Sequence, residues 1–407
     1  MSRSGFSLAW LLLLACASEK SGTDASEDPS DAPVARDAEL RDSADAGIED
    51  VLPLDAEHST PDAGTPDGGT SDADTSDGDT PDAGPEAMDA DSPDVMPCVP
   101  GSVPSGLEPS QAPPDALSST GLYSDIVGKQ LGPQIRSFAP KHVLWSDGAE
   151  KARWVYLPEC SVIDTTDMNH WSVPVGTRLF KEFVRDGKRI ETRVISRFGP
   201  GDDDFWFATY LWVDDESEAI SITLGMPNAR GTQHDVPAVA FCANCHSRSP
   251  EQILGFSAVQ LDHDASDVTL FELAADGHLS QPPSRHHVTP GSTEVAAGLG
   301  YLHANCGNCH NETERAVVFL RPMNLRLSFY DGAVEDTGVY RTAANIEAEK
   351  FLSHPGVTHR LLPGNVDASA IGWRITIRSV EQMPPIATEL VDPVGIDEVH
   401  GMILSFP

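Results

Sequence analysis

Two five-residue segments of one pattern constrain this chain more than any other feature of its sequence. Cys242–His246 has the sequence Cys-Ala-Asn-Cys-His, and Cys306–His310 has the sequence Cys-Gly-Asn-Cys-His. At the start of a helix, positions i, i+3 and i+4 share one face. Each segment can therefore present two thiols and one imidazole ring to the same bound group, and the fold must leave space beside both.

The Cys-x-x-Cys-His pattern is typical of covalent attachment of a c-type haem. Both thiols form thioethers with the haem vinyl groups, and the histidine ring coordinates the iron. Zinc sites usually bring cysteine pairs within about 15–20 residues of each other, and a thioredoxin-like pair needs a βαβ unit, which the sequence does not predict. We therefore expect two covalently bound haem c groups. The residues involved are Cys242, Cys245 and His246 in the first site and Cys306, Cys309 and His310 in the second.

Residues 1–16 have the organisation of a secretory signal peptide. Arg3 precedes an apolar run, Phe6–Ala15, which ends in Leu-Leu-Ala before Cys16. This ending resembles the lipobox of bacterial lipoproteins, in which the cysteine is acylated, and Ala17 after it implies the outer membrane. An ordinary signal peptide with a cysteine near its cleavage site is the alternative. We expect an exported, outer-membrane-anchored lipoprotein that faces the periplasm or the cell surface.

Residues 17–97 are predicted to be a disordered acidic linker. Positions 19–97 contain 24 acidic and 3 basic side chains, nine prolines and no aromatic residue, and a Thr-Pro-Asp motif recurs along them. Such a segment can bury too little apolar surface to offset its conformational entropy, and its charges repel one another. We expect it to act as a tether, and calcium binding by the aspartate repeats is the alternative.

The folded part is predicted to be a multi-part α+β protein that starts with a β-rich domain at 98–235. Asp186-Gly187 is a strong hairpin-turn signal between two strand-like runs. Cys98 and Cys160 remain once the two motifs are set aside, and an even remainder in an exported protein predicts a disulfide. The two predicted hairpins pair Thr177–Phe183 with Ile190–Ile195 and Phe205–Val213 with Ala219–Leu224.

The first haem-binding segment is expected at 236–290, and an α-helical domain with the second haem at 291–407. The predicted helix from Thr293 to Asn305 places Gly298 and Leu302 on one face before Cys306, which resembles the N-terminal helix of class I cytochromes c. That resemblance implies packing against the last helix. Asp392 can cap this last helix, and Pro393 opens it. Its apolar stripe is Val399, Met402, Ile403 and Phe406.

Met383 is the candidate sixth ligand of the second haem iron. It precedes Pro384-Pro385 and follows His310 by 73 positions, which resembles the axial-methionine loop of class I cytochromes c. A thioether ligand opposite histidine raises the reduction potential of the iron, which suits electron transfer. Met323 and Met402 are competitors that we expect to lie in the core.

The sixth ligand of the first haem iron stays open at the level of sequence. No methionine lies between His246 and Cys306. The coordination position could also be open to small ligands or peroxide. The candidate ligands are His263, His278, His286, His287 and His303 downstream, and Met168, Met226 and His234 upstream.

Residues 98–407 as a whole resemble a family of exported di-haem c-type cytochromes whose physiological role is largely undefined. The resemblance implies a β-rich part joined to haem-bearing helices and implies no substrate. Five cations in the matching region could pair with haem propionates or could be exposed strand residues: Lys151, Arg153, Lys181, Arg193 and Arg197. The matching segments are Leu144–Ala149, Pro174–Thr177, Lys181 with Phe183, Glu191–Arg193, Leu254–Phe256 and Gln260-Leu261.

The charge of the chain limits its partners. With 63 acidic and 27 basic side chains the formal net charge is −36, which argues against nucleic acid because phosphate binding needs clustered lysine and arginine. We expect a cytochrome that carries single electrons between redox protein partners with a basic docking face. It would touch a membrane only through its lipid. A peroxidase-like enzyme with the first haem as reaction centre, and an accessory subunit of a dehydrogenase, are the alternatives.

Overall fold

The computed structural model describes residues 98–313, 322–349, 353–386 and 388–407. The predicted signal peptide, Cys16 and the predicted linker therefore lie outside the described residues. No helix within the described ranges is long and apolar enough to span a bilayer.

A six-stranded antiparallel sheet forms the centre of the β-rich part, and its strands follow one another in sequence order. Both predicted hairpins are confirmed, because β5 pairs with β6 and β7 pairs with β8. Two further strands form a separate antiparallel pair. The strands are β1 Tyr123–Asp125, β2 Gln130–Leu131, β3 Arg136–Ser137, β4 Glu150–Tyr156, β5 Arg178–Arg185, β6 Lys188–Arg197, β7 Phe205–Trp212 and β8 Ala219–Ile222.

Local turn chemistry explains the tightest connection in the sheet. Asp186 and Gly187 join β5 to β6 with backbone φ angles of 52° and 72°. Two consecutive left-handed residues match the right-handed twist of the flanking strands, and aspartate followed by glycine tolerates this conformation best.

Both faces of the sheet are covered. On one face, Phe180, Val194 and Ala208 pack against the segment that contains Leu107 and Leu122. On the other face, side chains such as Val155 and Leu179 join the core formed by the helices and their connecting segments. Since successive strand residues point to opposite faces, the register of β4 to β7 decides which side chains meet the helices.

The helices are few, and most of them are short. Ser292 caps α4 by accepting a hydrogen bond from the amide of Val295 at 3.3 Å, and Pro393 opens α7. These observations confirm the two helices predicted near the second motif. The helices are α1 Cys242–His246, α2 Ala258–Leu261, α3 Leu270–Ala275, α4 Thr293–Asn305, α5 Gly338–Thr342, α6 Ala370–Arg374 and α7 Pro393–Ser405, with 3-10 turns at Leu117–Thr120, Ala229–Gly231, Val239–Phe241 and Val334–Asp336.

α4 and α7 pack directly against each other at Gly298. A Cβ atom at that position would lie 2.3 Å from the Cβ of Met402, so glycine sets how closely the helices approach. Met402 is fully buried, as predicted for a core methionine. The prediction that Asp392 caps α7 is wrong: it occupies the N-cap position without a capping hydrogen bond, and its side chain bonds to Tyr301 instead.

The structure joins Cys98 to Cys160, the pair that the sequence predicts, with 5.5 Å between their Cα atoms. The disulfide links the start of the described chain to the segment that follows β4. It therefore fixes one end of the segment that contains Leu107 and Leu122 and covers one face of the sheet.

Candidate functional site

The first motif forms a helix of its own. α1 consists of Cys242–His246 and directly follows the 3-10 turn Val239–Phe241. Both cysteines are free thiols and are half-buried. The amide of Ser247 donates to the carbonyl of Ala243 at 3.1 Å, which continues the helical turn. As the sequence predicts, the two thiols and the imidazole ring therefore share one face.

The ring of His246 is held by a backbone hydrogen bond. Its Nδ1 lies 2.8 Å from the carbonyl oxygen of Gln252. A carbonyl can only accept, so Nδ1 carries the proton and Nε2 keeps its lone pair for a metal. The ring packs against Phe207 of β7 with 5.2 Å between centroids. Burial, aided by Lys181 and Arg193, lowers the pKa of His246 to about 4, so the ring is neutral at pH 7.

The second motif begins where α4 ends, rather than at the start of a helix as the sequence argument assumed. The amides of Cys309 and His310 both donate to the carbonyl of Cys306, at 3.0 and 2.9 Å. This turn keeps the i to i+4 relation between Cys306 and His310 without a following helix. A Cβ at Gly307 would lie 2.7 Å from the carbonyl oxygen of His303, so the turn needs glycine there.

The ring of His310 has no hydrogen-bond partner among the described residues, and its Nδ1 is buried. Burial lowers its pKa to about 4, with further lowering by Arg374 and Arg360. Burial also raises the pKa of the Cys306 thiol to about 12. A neutral imidazole without a partner next to a buried thiol is an unsatisfied polar site that a metal-bearing group would complete.

The two motifs touch each other. The thiol of Cys245 hydrogen-bonds to Cys309, which raises the pKa of Cys245 and lowers that of Cys309. Arg248 acts electrostatically on both sulfur atoms. The segments after the motifs also meet, because the side-chain amide of Asn311 donates to the carbonyl of Arg248 at 3.1 Å. Sixty-four positions separate the motifs in sequence, yet they form one continuous site.

A buried ion pair strengthens this junction. Arg326 donates a hydrogen bond to Glu251 and contacts the Ser249 hydroxyl at 3.4 Å, so it holds the loop that follows the first motif. The neighbouring amide of Leu325 donates to the carbonyl of His310 at 2.9 Å. One short segment thus contacts the second motif and the loop that follows the first motif.

Met383 lies close to the same arginine that influences His310. Its amide donates to the carbonyl of Arg374 at 3.1 Å, and the charge of Arg374 lowers the pKa of His310. The side chain of Met383 is half-buried. Met323 packs against the hydrophobic core, as expected.

Most candidates for the sixth ligand of the first iron have other partners. Among them, His303 borders a cavity between the sheet and α4, and its Nδ1 accepts from the amide of Leu327 at 3.1 Å. Met168 is buried in the core, and Met226 pairs with Val236 through backbone bonds. The other histidines bond as follows: His234 to Glu191, His263 to Ala139 and Ala265, His278 to Ser161, His286 to Asp262, and His287 to Thr289.

The cations of the sheet are not exposed strand residues. Arg153 and Arg197 are buried, and Lys151, Lys181 and Arg193 are half-buried. The register places Arg153 opposite Lys181 and Lys181 opposite Arg193, so these three cations form a row on the face towards the first motif.

The cations differ in their partners. Glu191 neutralises Arg193 at 2.6 Å, and His234 lies 2.8 Å from the same carboxylate. Lys151 donates to the carbonyl of Leu144, and Arg197 donates to the hydroxyl of Ser172, both at 2.7 Å.

Sequence reasoning missed several residues of the site. His142 lines the cavity and has a buried Nε2 atom without a partner. Glu251 and Arg326 form the ion pair that joins the motifs. A lone histidine in a loop and two charges 75 positions apart carry no local pattern, so no sequence signal could have found them.

Each motif has its own pair of thiols, so the residues present fit attachment of one group at each motif. In the ranges that the structure describes, no three His, Cys, Asp or Glu side chains are placed to hold a metal ion. Each motif instead offers its own histidine, which is what attachment of one haem at each motif requires. No family model, no curated protein and no solved structure matches this chain.

Proposed function

We propose that this chain is an exported di-haem c-type cytochrome that carries single electrons between protein partners. The contact between Cys245 and Cys309 carries the proposal, because groups attached at these two cysteines would be direct neighbours. Two adjacent haems form a relay, in which an electron received at one site can leave from the other.

The residues of both motifs fit this role. Cys242 and Cys245 would attach the first haem, and Cys306 and Cys309 the second, while the haem iron supplies the one-electron chemistry. The carbonyl oxygen of Gln252 accepts a hydrogen bond from Nδ1 of His246. The Nε2 atom therefore keeps the lone pair that a metal would bind. His310 and Met383 would hold the second iron.

The packing of α4 against α7 supports a cytochrome c-like fold around the second haem. Gly298 allows the two helices to approach closely just before the second motif. His310 and Met383 would hold the iron, and Arg374 links their segments: its carbonyl accepts from the amide of Met383, and its charge lowers the pKa of His310.

The acidic surface and the N-terminal segment complete the proposal. Residues 98–407 contain 39 acidic and 23 basic side chains, which favours a basic docking partner and an association rate that falls with salt. The lipobox-like sequence at Cys16 supports anchoring to the outer membrane through a lipid.

The decisive experiment is production of the full chain in a bacterial host with a complete cytochrome c assembly system. We expect a protein mass that includes two haems and a reduced spectrum of c-type haem. A double Cys242→Ser and Cys245→Ser variant should lose one haem, and Cys306→Ser with Cys309→Ser should lose the other. A colourless protein with four free thiols would overturn the proposal.

The same preparation separates electron transfer from catalysis. If both irons are six-coordinate, carbon monoxide and peroxide leave the spectra unchanged, as a carrier requires. A high-spin haem that binds carbon monoxide and reacts with peroxide would favour the peroxidase-like enzyme instead.

A further inference from the structure

A cavity lies between the sheet and α4, and its lining includes Asn308 of the second motif and Ser249 in the loop that follows the first motif. We call it the cationic cavity. Its charged and titratable lining residues are His142, Arg153, Lys181, Glu251, His303 and Arg326.

Two of these cations lack a counter-charge. Arg153 is 8% exposed and has no hydrogen-bond or ion-pair partner among the described residues. Lys181 contacts the ring of Phe183 at 4.8 Å and likewise pairs with no carboxylate in the described ranges. The two face each other across β4 and β5. Burial, together with Arg153 and Arg193, holds the pKa of Lys181 well below 10.5, because neighbouring buried positive charges without a partner are costly. A bound anion would restore the charged form of the lysine.

The remaining groups do not supply that negative charge. Glu251 is neutralised by Arg326, and Glu191 on the adjacent strand is neutralised by Arg193. Burial lowers the pKa of His142 to about 4 and that of His303 to about 3, so both are neutral hydrogen-bonding groups at pH 7. The cationic cavity is therefore net positive and also offers neutral polar atoms.

We propose that Arg153 and Lys181 form an oxyanion-binding site that accepts a carboxylate or an equivalent small anion in the cationic cavity. The planar guanidinium of Arg153 suits two parallel hydrogen bonds to such a group, and the ammonium of Lys181 adds a point charge. The buried Nε2 of His142 is a further unsatisfied atom on the cavity wall.

Two sources share this chemistry. The carboxylate is either a propionate of a haem attached at the first motif, which rests on the proposed function, or a free anion from solution. Lys181 acts electrostatically on His246, which supports the propionate source.

The test uses the full-length holoprotein, with Lys181→Met and Arg153→Gln as variants. Lys188→Met is the matched control, because that lysine lies on β6 and its ammonium donates to the carbonyl of Arg230 at an exposed site. Inorganic phosphate is titrated calorimetrically into each protein at constant ionic strength. The midpoint potential of each haem is then measured by optical redox titration.

If the anion is free, one phosphate binds per wild-type chain, and each variant binds it at least tenfold more weakly than the control does. If the anion is a propionate, phosphate does not bind, and each variant lowers the midpoint potential of one haem because a positive charge is lost next to it. Either variant alone suffices if the other does not fold.

Wild-type protein that binds no phosphate, together with variants whose midpoint potentials match those of the control, would overturn the oxyanion site. A chain that carries no haem would defeat the proposed function and the propionate source. The phosphate titration would still decide whether Arg153 and Lys181 bind a free anion.

Discussion

The carboxylate of Asp147 accepts a hydrogen bond of 2.8 Å from the backbone amide of Leu390, although 243 positions separate the two residues. The amide of Glu389 donates to the same carboxylate at 3.0 Å. The indole of Trp145 adds a 3.0 Å bond to the carbonyl of Leu390. The loop before β4 therefore anchors the segment that follows Met383.

We expect Asp147→Asn to destabilise the fold by about 1–3 kcal/mol, since hydrogen bonds to a charged acceptor contribute about that much each. Asparagine tolerates the left-handed backbone at this position, where φ is 49°, so lost charge is the main change. Urea denaturation measures the effect. Asp215→Asn, at an exposed turn, should leave the midpoint unchanged, and an equal loss in both variants would contradict the anchoring role.

The approach of α4 to α7 predicts opposite effects for two glycine substitutions. Gly298→Ala would place a methyl group 2.3 Å from the Cβ of Met402, and we expect a loss of about 1–3 kcal/mol from overpacking. Gly401→Ala meets its nearest neighbour only at 3.8 Å, so it should stabilise helix α7 by up to about 1 kcal/mol. Thermal unfolding of both variants checks this, and a stabilising Gly298→Ala would refute the close contact.

The lowered pKa of the buried Glu191 carboxyl predicts that the free energy of unfolding depends on pH. Burial raises the pKa of this carboxyl, but Arg193 and the hydrogen bond from His234 outweigh it, so the pKa lies below its ordinary 4.5. A lowered pKa stabilises the folded state above pH 4.5, and this contribution is lost as the pH falls through the folded-state value.

Glu191→Gln should therefore unfold at lower urea concentration than the wild type at pH 7. The difference in midpoint should shrink steadily when the same titrations are run at pH 4.5, 3.5 and 2.5. A difference that stays constant over this range would show that the charge of Glu191 does not contribute.

The proposed axial ligand predicts a spectral change confined to one haem. Met383→Ala should remove the thioether ligand of the second iron, alter its absorption and lower its midpoint potential. Met323→Ala is the control, since that side chain packs against the core. Spectra of both reduced holoproteins provide the comparison, and an unchanged Met383→Ala spectrum would exclude this methionine as a ligand.

Local signals predicted much of the fold because they act over a few residues. The Asp186-Gly187 turn fixes the β5–β6 hairpin, and the cap at Ser292 fixes the start of α4. One incorrect prediction concerned Asp392, where the competing partner Tyr301 lies 91 positions away in sequence. A capping preference gives no information about such a distant competitor.

The candidate site was predictable as two motifs but not as one site. Residue types and spacing identify Cys245 and Cys309 separately. Their contact depends on the path of the chain between the two motifs. The row of Arg153, Lys181 and Arg193 depends on strand register, and a shift of one residue would turn a strand's cation to the opposite face. No local sequence pattern predicts either the contact between the cysteines or the row of cations.

The proximity of Cys245 to Cys309 also bears on the timing of biogenesis. Thiols that meet in the folded chain can oxidise to each other in an oxidising compartment. A polypeptide that folds before its cysteines are consumed would be trapped with a covalent link between the motifs. If haems are attached as proposed, attachment therefore has to precede the formation of this contact, while all four cysteines are still reduced.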